Sequence, residues 1–347
     1  MAHDREDHAA GMSRRGALAS LGWGAGMLAA TTALPERWSP FGRARAAQGL
    51  TVPVIVKDLT RPYWQAVLAG AGKAADEAGA QILALGGKTE ADADGQIAAL
   101  RNAVAAKPAA LVIAPAPSGA LGQAIDEVAR NVKIVAIGSA AGAMALTTLV
   151  ATDNAQAGRI AADALAAAIQ RSYADAEGYV AIITAASGIA ALDERAKGFT
   201  EQLAASYGAL EVVARPVGDG QAASGAKIMA ELIAGQSELR GAFAMDPAMT
   251  QGAAQVLAKT PNNTTGDKIN LVGFGGDEGI VQSLKDGAVA ALVVPDPLRM
   301  GYDGVKAALA ATRGEQVPAR IATTATLVTK ANMNSARAQE LLAPKFK

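Results

Sequence analysis

Residues 51–85 read TVPVIVKDLTRPYWQAVLAGAGKAADEAGAQILAL, and this stretch decides the fold. Val54–Val56 is a short, continuous apolar run, as expected of a strand buried on both faces of a parallel sheet. Pro62–Ala78 repeats apolar residues at helical spacing, with Pro62 suited to a first helical turn and Gly79 to a helix C-terminus. Gln81–Leu85 then reads as a second strand. The unit is strand, helix, strand.

The same unit recurs along the chain. Further strands are predicted at Ala110–Ile113, Lys133–Ile137, Tyr179–Ile183, Leu210–Ala214, Gly241–Ala244, Ile269–Val272 and Val289–Val294. Helical spacing recurs at Asp92–Ala105, Leu121–Arg130, Asn154–Gln170 and Met300–Arg313. Repeats of this kind specify α/β doubly wound layers with right-handed crossovers. From Thr51 onward about 300 residues remain, too many for one comfortable α/β domain, so two lobes are expected. The pattern breaks at Ala151–Asn154 without a Gly/Ser or Pro-rich linker. Lobes joined by several short strands suit such a boundary better than two separate beads.

Composition narrows the function. Of 347 residues, 51% are hydrophobic, and 32 basic residues balance 32 acidic ones. No Lys/Arg stripe marks a nucleic-acid or anionic-membrane partner. Cysteine is absent, and the only two histidines are His3 and His8, which excludes thiol nucleophiles and thiolate zinc sites. If the first residues are removed, Ser-His-Asp and Cys-His catalysis and HExxH zinc chemistry are excluded too. Carboxylate and lysine chemistry survives.

The N-terminal segment predicts that removal. Paired Arg14 and Arg15 precede a weakly apolar run from Gly16 to Leu34, and Ala44-Arg45-Ala46 suits a small-residue cleavage site. This pattern resembles a twin-arginine export signal, with cleavage near Ala46-Ala47. A membrane anchor would need about 20 uninterrupted, strongly apolar residues. Here glycines interrupt the run, and Pro35, Glu36 and Arg37 close it. A free periplasmic protein is expected.

Four segments then carry a family likeness: Arg61-Pro62-Tyr63-Trp64, Ala151-Thr152-Asp153-Asn154, Asp193-Glu194-Arg195-Ala196-Lys197-Gly198-Phe199, and Val272-Gly273-Phe274-Gly275-Gly276. In this order the chain resembles the ribose-type (type I) periplasmic sugar-binding proteins of ABC transporters. The resemblance implies two similar parallel-sheet lobes joined by a three-crossing hinge. It divides the chain into a leader (1–47), an N-terminal lobe (48–153 plus 296–324) and a C-terminal lobe (154–295 plus 325–347). It also implies a sugar or polyol held between the lobes by hinge closure, a monomer, and an ABC permease of the inner membrane as partner. Ligands of open α/β sheets bind beyond the carboxyl ends of the strands, where these segments fall.

Tyr63 and Trp64 are candidates to cover the apolar face of a sugar ring; the same pair could plug the core beside the helix start. Trp64 is the only tryptophan beyond the leader, since Trp23 and Trp38 lie within it. Arg195 stands where the family uses an arginine to hold ligand hydroxyls, a task suited to a guanidinium fork, or it is a surface charge beside Asp193 and Glu194. Asp246 could accept two hydroxyls or cap the helix that Pro247 opens. Asp58, with Lys57, could reach the cleft or form a solvated pair. Arg61, Asp277 and Asp296 are further strand-end candidates, and Phe274 is expected on the cleft wall.

The chain also departs from the ribose-type pattern. Gly138-Ser139 replaces a usual Asp-Arg, Gly275 an Asp and Pro295 a Gln, and an aromatic of the second lobe is replaced near Gly220. A site built for particular hydroxyls rejects analogues that leave its polar groups unpaired, so these changes argue against ribose itself and leave Ser139 as a substitute cleft residue. A periplasmic sensor on the same fold is the alternative function. An exported hydrolase or isomerase using carboxylates, for instance Asp58 with Asp246, is a third reading, but an enzyme is not expected. No metal or organic cofactor is implied, because no G-x-G-x-x-G or P-loop stands between a strand and a helix.

Overall fold

The computed structural model describes residues 49–260 and 268–343, so the segment expected to act as an export leader, with its expected cleavage site, lies outside the described residues. The described residues fall within one compact unit. No helix among them is long and apolar enough to cross a membrane.

The first sheet takes β1 (Thr51–Val56), β2 (Gln81–Gly86), β3 (Ala110–Ile113), β4 (Lys133–Ile137), β5 (Thr148–Thr152) and, from late in the chain, β11 (Arg320–Thr323). All are parallel, in the order β11-β5-β4-β3-β1-β2. The second sheet takes β6 (Gly178–Ile183), β7 (Leu210–Ala214), β8 (Leu239–Ala244), β9 (Asn270–Phe274), β10 (Ala291–Pro295) and β12 (Ala325–Thr329). Its order is β12-β10-β9-β8-β6-β7, with only β12 antiparallel to its neighbour. The two sheets share one strand order and differ in the direction of the last edge strand.

Side-chain alternation on β1 explains the layers. Val52, Val54 and Val56 enter the core beneath α1 (Pro62–Glu77) and α9 (Pro297–Thr312). Ile55 enters the opposite core, beneath α2 (Ala93–Ala105) and α3 (Gly119–Val128). Both faces are covered, which is why β1 is apolar throughout. The second sheet is sandwiched likewise, by α4 (Asn154–Tyr173) and α5 (Ala190–Ser206) on one face. On its other face lie α6 (Ala222–Gly235), α7 (Pro247–Leu257), α8 (Glu278–Asp286) and α10 (Ala336–Leu342).

The chain passes between the lobes three times. β5 hands over to α4 at Asp153, β10 to α9 at Asp296, and β11 to β12 at Thr324. Asp153 and Asp296 each cap the helix that follows, accepting from Gln156 N at 2.8 Å and Arg299 N at 2.9 Å. The Asp153 N–H also donates to Thr323 O at 2.9 Å, tying the first crossing to the third.

Several boundaries differ from the sequence expectation. β1 begins at Thr51 rather than Val54 because it pairs with β2 from Thr51 to Val56; its pairing with β3 involves only Val54 and Ile55, so the missing N–H of Pro53 falls outside that second ladder. β5, β11 and β12 were not predicted. They are short and rich in threonine and alanine, and they lie beside the crossings. α9 begins at Pro297 rather than Met300, since Asp296 caps it and Pro297 occupies its first turn.

Helix pairs are joined through glycine. A Cβ on Gly301 of α9 would come within 1.9 Å of Val67 O, and one on Gly70 of α1 within 1.9 Å of Leu298 O. Gly158 of α4 and Gly198 of α5 face Arg195 O and Ala155 O in the same way, at 2.1 and 2.0 Å. These obstacles are backbone carbonyls, which cannot rotate aside. The Gly301→Ala variant is therefore expected to lose about 1–3 kcal/mol in denaturant unfolding, despite alanine's better helix propensity. Alanine at exposed Gly235, with nothing within 4 Å of a Cβ, serves as the contrast and should unfold close to the unmodified protein.

Candidate functional site

In each sheet the strand order reverses beside its first strand, β1 in one and β6 in the other. Beyond such switch points the connecting loops part and leave a crevice. The connections after β1, β8 and β9, with the helices they open, carry most of the candidate residues.

On the first lobe, Asp58 is buried and its Oδ1 accepts from Thr60 N at 2.8 Å and Thr60 Oγ1 at 2.7 Å. These bonds hold its carboxyl below the ordinary range and shape the turn into α1. Trp64 is only 5% exposed and packs into the first-lobe core, so its ring serves largely as the plug. Its Nε1 donates to Glu90 Oε1 at 2.5 Å. Glu90 also lies 3.7 Å from Arg61 Nε, and Lys57 Nζ stands 5.6 Å from the Trp64 ring centroid. Burial pulls the Lys57 pKa down, against the opposing charge of Glu90. Tyr63 meets Trp64 edge to face at 4.8 Å.

On the second lobe, Arg195 is 7% exposed although it sits in a helix rich in charge. Its Nε donates to Asn154 Oδ1 at 2.9 Å, an Nη donates to Met245 O, and its guanidinium lies 3.5 Å from the Phe274 ring centroid. Burial lowers its pKa to about 10, so it remains cationic at neutral pH. Asp246 caps α7 by accepting from Met249 N at 3.1 Å through Oδ1. Its Oδ2 is buried without a hydrogen-bond partner. Burial raises the Asp246 pKa more than its cap bonds and Arg195 lower it.

The lobes meet electrostatically around Tyr63. Its phenol is pushed above its ordinary range chiefly by burial, with Arg195 opposing and Glu90, Asp296 and Asp277 adding. Arg61 also reaches Asp277 across the cleft, at 3.9 Å. The structure thus gathers Arg61, Tyr63, Trp64, Arg195, Asp246, Phe274 and Asp277. Asp58 adjoins them in its turn. Asp296 stays at the second crossing, where one oxygen caps α9 and the other pairs with Arg337. Ser139 is exposed, and no side-chain hydrogen bond or ion pair among the described residues joins it to the cluster. Sequence reasoning passed over Glu90 and Asn154. The loop position of Glu90 just beyond β2 was the available signal, whereas the role of Asn154 follows only from its contact with Arg195. No group of three or more His, Cys, Asp or Glu able to hold a metal occurs among the described residues.

Two sandwiched lobes, three crossings and a polar-aromatic cluster at the strand ends define a bilobal binding protein. The chain belongs to the periplasmic binding protein domain family, which matches residues 52–316. It is 26% identical over 292 residues to the ribose import binding protein RbsB of Bacillus subtilis (strain 168), covering 84% of this chain and 91% of that protein. With RbsB of Escherichia coli (strain K12) it shares 26% over 281 residues, 81% and 90% of the two chains. Among solved structures, a carbohydrate transporter solute binding protein from Agrobacterium radiobacter, in complex with D-arabinose, is 47% identical. It aligns with TM-score 0.73 over 85% of this chain and 99% of its own. An ABC transporter solute binding protein from Agrobacterium vitis with bound D-fucose is 28% identical, with TM-score 0.68 over 84% and 99%.

A buried carboxylate oxygen without a partner, as Asp246 Oδ2 is, is expected to cost stability. Asparagine preserves the cap and removes a charge that burial disfavours. Asp246→Asn is therefore expected to stabilise the ligand-free protein by on the order of 0.5–1 kcal/mol at neutral pH, measured as the shift of the urea midpoint. Because the folded pKa is raised, the penalty disappears as pH falls through it, so the two proteins should converge in acid.

Proposed function

We propose that this chain is the solute-binding component of an ABC importer, capturing a monosaccharide or polyol between its lobes and delivering it to an inner-membrane permease. Asp246 Oδ2 carries the reading. A buried carboxylate oxygen without a partner, beside a buried guanidinium that lies over an aromatic ring, suits a ligand with vicinal hydroxyls. Such a ligand donates to Asp246, accepts from Arg195, and lays an apolar face against Phe274 or Tyr63. Lys57, Arg61, Glu90 and Asp277 supply the cleft's remaining charges. Asp58 and Asp296 shape its loops, and Ser139, exposed after β4, is a further candidate contact.

Sugars bound by the solved relatives, D-arabinose and D-fucose, support a ligand of five- or six-carbon size, and we take D-arabinose as the first candidate. The relatives' import role favours transport over sensing. Binding proceeds by hinge closure, the motion for which periplasmic binding proteins are a standing example, and involves no chemistry on the ligand. The lobes comprise residues 48–153 plus 296–324 and 154–295 plus 325–347. The twin-arginine-like segment around Arg14 and Arg15 delivers the protein, as a monomer, to the periplasm.

Calorimetric titration of residues 48–347 with pentoses, hexoses and polyols tests the reading, with Trp64 emission as a second signal. One ligand class should saturate at about 1 μM, roughly −8 kcal/mol; no heat and no thermal shift across the panel would sink the sugar assignment. Arg195→Ala and Asp246→Asn should each weaken binding about 10- to 100-fold, the scale of a lost charged hydrogen bond. Affinity should also fall as pH drops through the raised Asp246 pKa. Ligand hydroxyls favour the carboxylate, so the bound pKa lies below the free one and the gain is complete only above the latter. In Asp246→Asn that pH dependence should vanish.

A further inference from the structure

Glu194 and Arg320 come from different lobes. Arg320 begins β11, the edge strand of the first sheet on the hinge side, while Glu194 precedes Arg195 on α5 of the second lobe. Their contact is bidentate: Nη1 donates to Oε1 at 3.0 Å and Nη2 to Oε2 at 2.9 Å. A planar fork on a carboxylate is directional as well as attractive, so it fixes the two elements in one relative orientation.

The pair does not stand alone. Arg320 foremost, and Asn154 through its side chain, hold the Glu194 carboxyl below its ordinary range. Asn154 is the first residue of α4, immediately after the first crossing, and its Oδ1 accepts from Arg195 Nε. The preceding residue, Asp153, bonds through its backbone to Thr323 at the third crossing and adds its charge to the field around Arg320. Hydrogen bonds join Arg320 to Glu194 and Arg195 to Asn154, and the pull of Asn154 on the Glu194 carboxyl connects the two pairs.

We propose that Arg320, Glu194 and Asn154 are positioning residues that couple the hinge to the ligand-binding arginine: the interlobe fork favours the closed arrangement and, through Asn154, sets the Arg195 guanidinium over Phe274. The role given to Arg195 rests on the binding function proposed above. An interaction made in only one of two conformations shifts the population toward it, and apparent affinity rises in proportion to the competent fraction. Side-chain exposures of 44% for Arg320 and 36% for Glu194 make the contribution modest and sensitive to salt.

The test combines X-ray scattering with D-arabinose calorimetry on the unmodified protein, Arg320→Ala, Glu194→Gln, their double variant and Arg320→Lys. Each of the first two variants should weaken D-arabinose binding about fivefold, the upper range for a partly exposed pair, and the double variant should be no weaker than either single one. Arg320→Lys, which keeps the charge without the fork, should fall between and controls for folding. Raising salt from about 50 to about 500 mM should weaken the unmodified protein toward Arg320→Ala while leaving Arg320→Ala itself nearly unchanged. Ligand-free Arg320→Ala should show a larger radius of gyration than the unmodified protein. Additive losses in the double variant, or affinity and radius both unchanged in Arg320→Ala, would overturn the coupling. If the unmodified protein binds no D-arabinose, that sugar assignment fails separately and the scattering arm still decides the strut: a larger radius supports it and an equal radius overturns it.

Discussion

The close approach of α4 to α5 fixes what the second lobe can do. Gly158 and Gly198 let each helix touch the other's backbone, and the carbonyl that Gly158 meets is that of Arg195 itself. With the backbone held there, the arginine side chain is directed away from solvent. It reaches Asn154, Met245 O and the Phe274 ring. A buried guanidinium is costly unless its donors are engaged. Engaging them ties a helix, a strand end and the first interlobe crossing to one side chain.

The two halves of the cleft differ in character. The first-lobe half is built on aromatic packing steadied by charge, with Trp64 anchored in the core and its indole nitrogen held by Glu90. The second-lobe half is built on buried charge, Arg195 and Asp246, with one carboxylate oxygen left without a partner. A ring with an apolar face and a polar edge matches that division. Two of the cross-lobe contacts are ionic and partly exposed, Arg61 with Asp277 and Arg320 with Glu194. Each is weak enough to be made and broken as the lobes move.

Capping aspartates mark the hinge. Asp153 and Asp296 both end a strand of one lobe and cap a helix of the other. A cap fixes the chain direction within one residue, so the lobes are joined without long linkers. The third crossing, Thr324, follows a strand whose Thr323 hydroxyl is buried and unpartnered. Its backbone carbonyl at Thr323 accepts from Asp153, which ties this connection to the first crossing.

Much of this was legible in the sequence. The apolar runs of β1, β3, β4 and β8 announce strands covered on both faces, because only double burial tolerates uninterrupted apolar character. Pro62, Pro247 and Gly79 punctuate their helices locally, and the four family segments indicated the cleft. Short-range chemistry could not indicate β5, β11 and β12, whose strand state comes from neighbours far away in the chain. Nor could it separate the two readings of Arg195, Trp64 or Asp246, or place Asp296. An arginine on a charged helix and an aspartate before a proline look the same whether they face solvent, a cap or a ligand. Tertiary packing decided that Arg195 is buried, that Trp64 lies largely in the core with Glu90 on its nitrogen, and that Asp296 is held by its cap and Arg337. The sequence by itself determined the repeating βα architecture, because periodicity and helix punctuation are properties of neighbouring residues. Which charges meet across the cleft depends on how two lobes and three crossings close on one another, and that is fixed only in the folded chain.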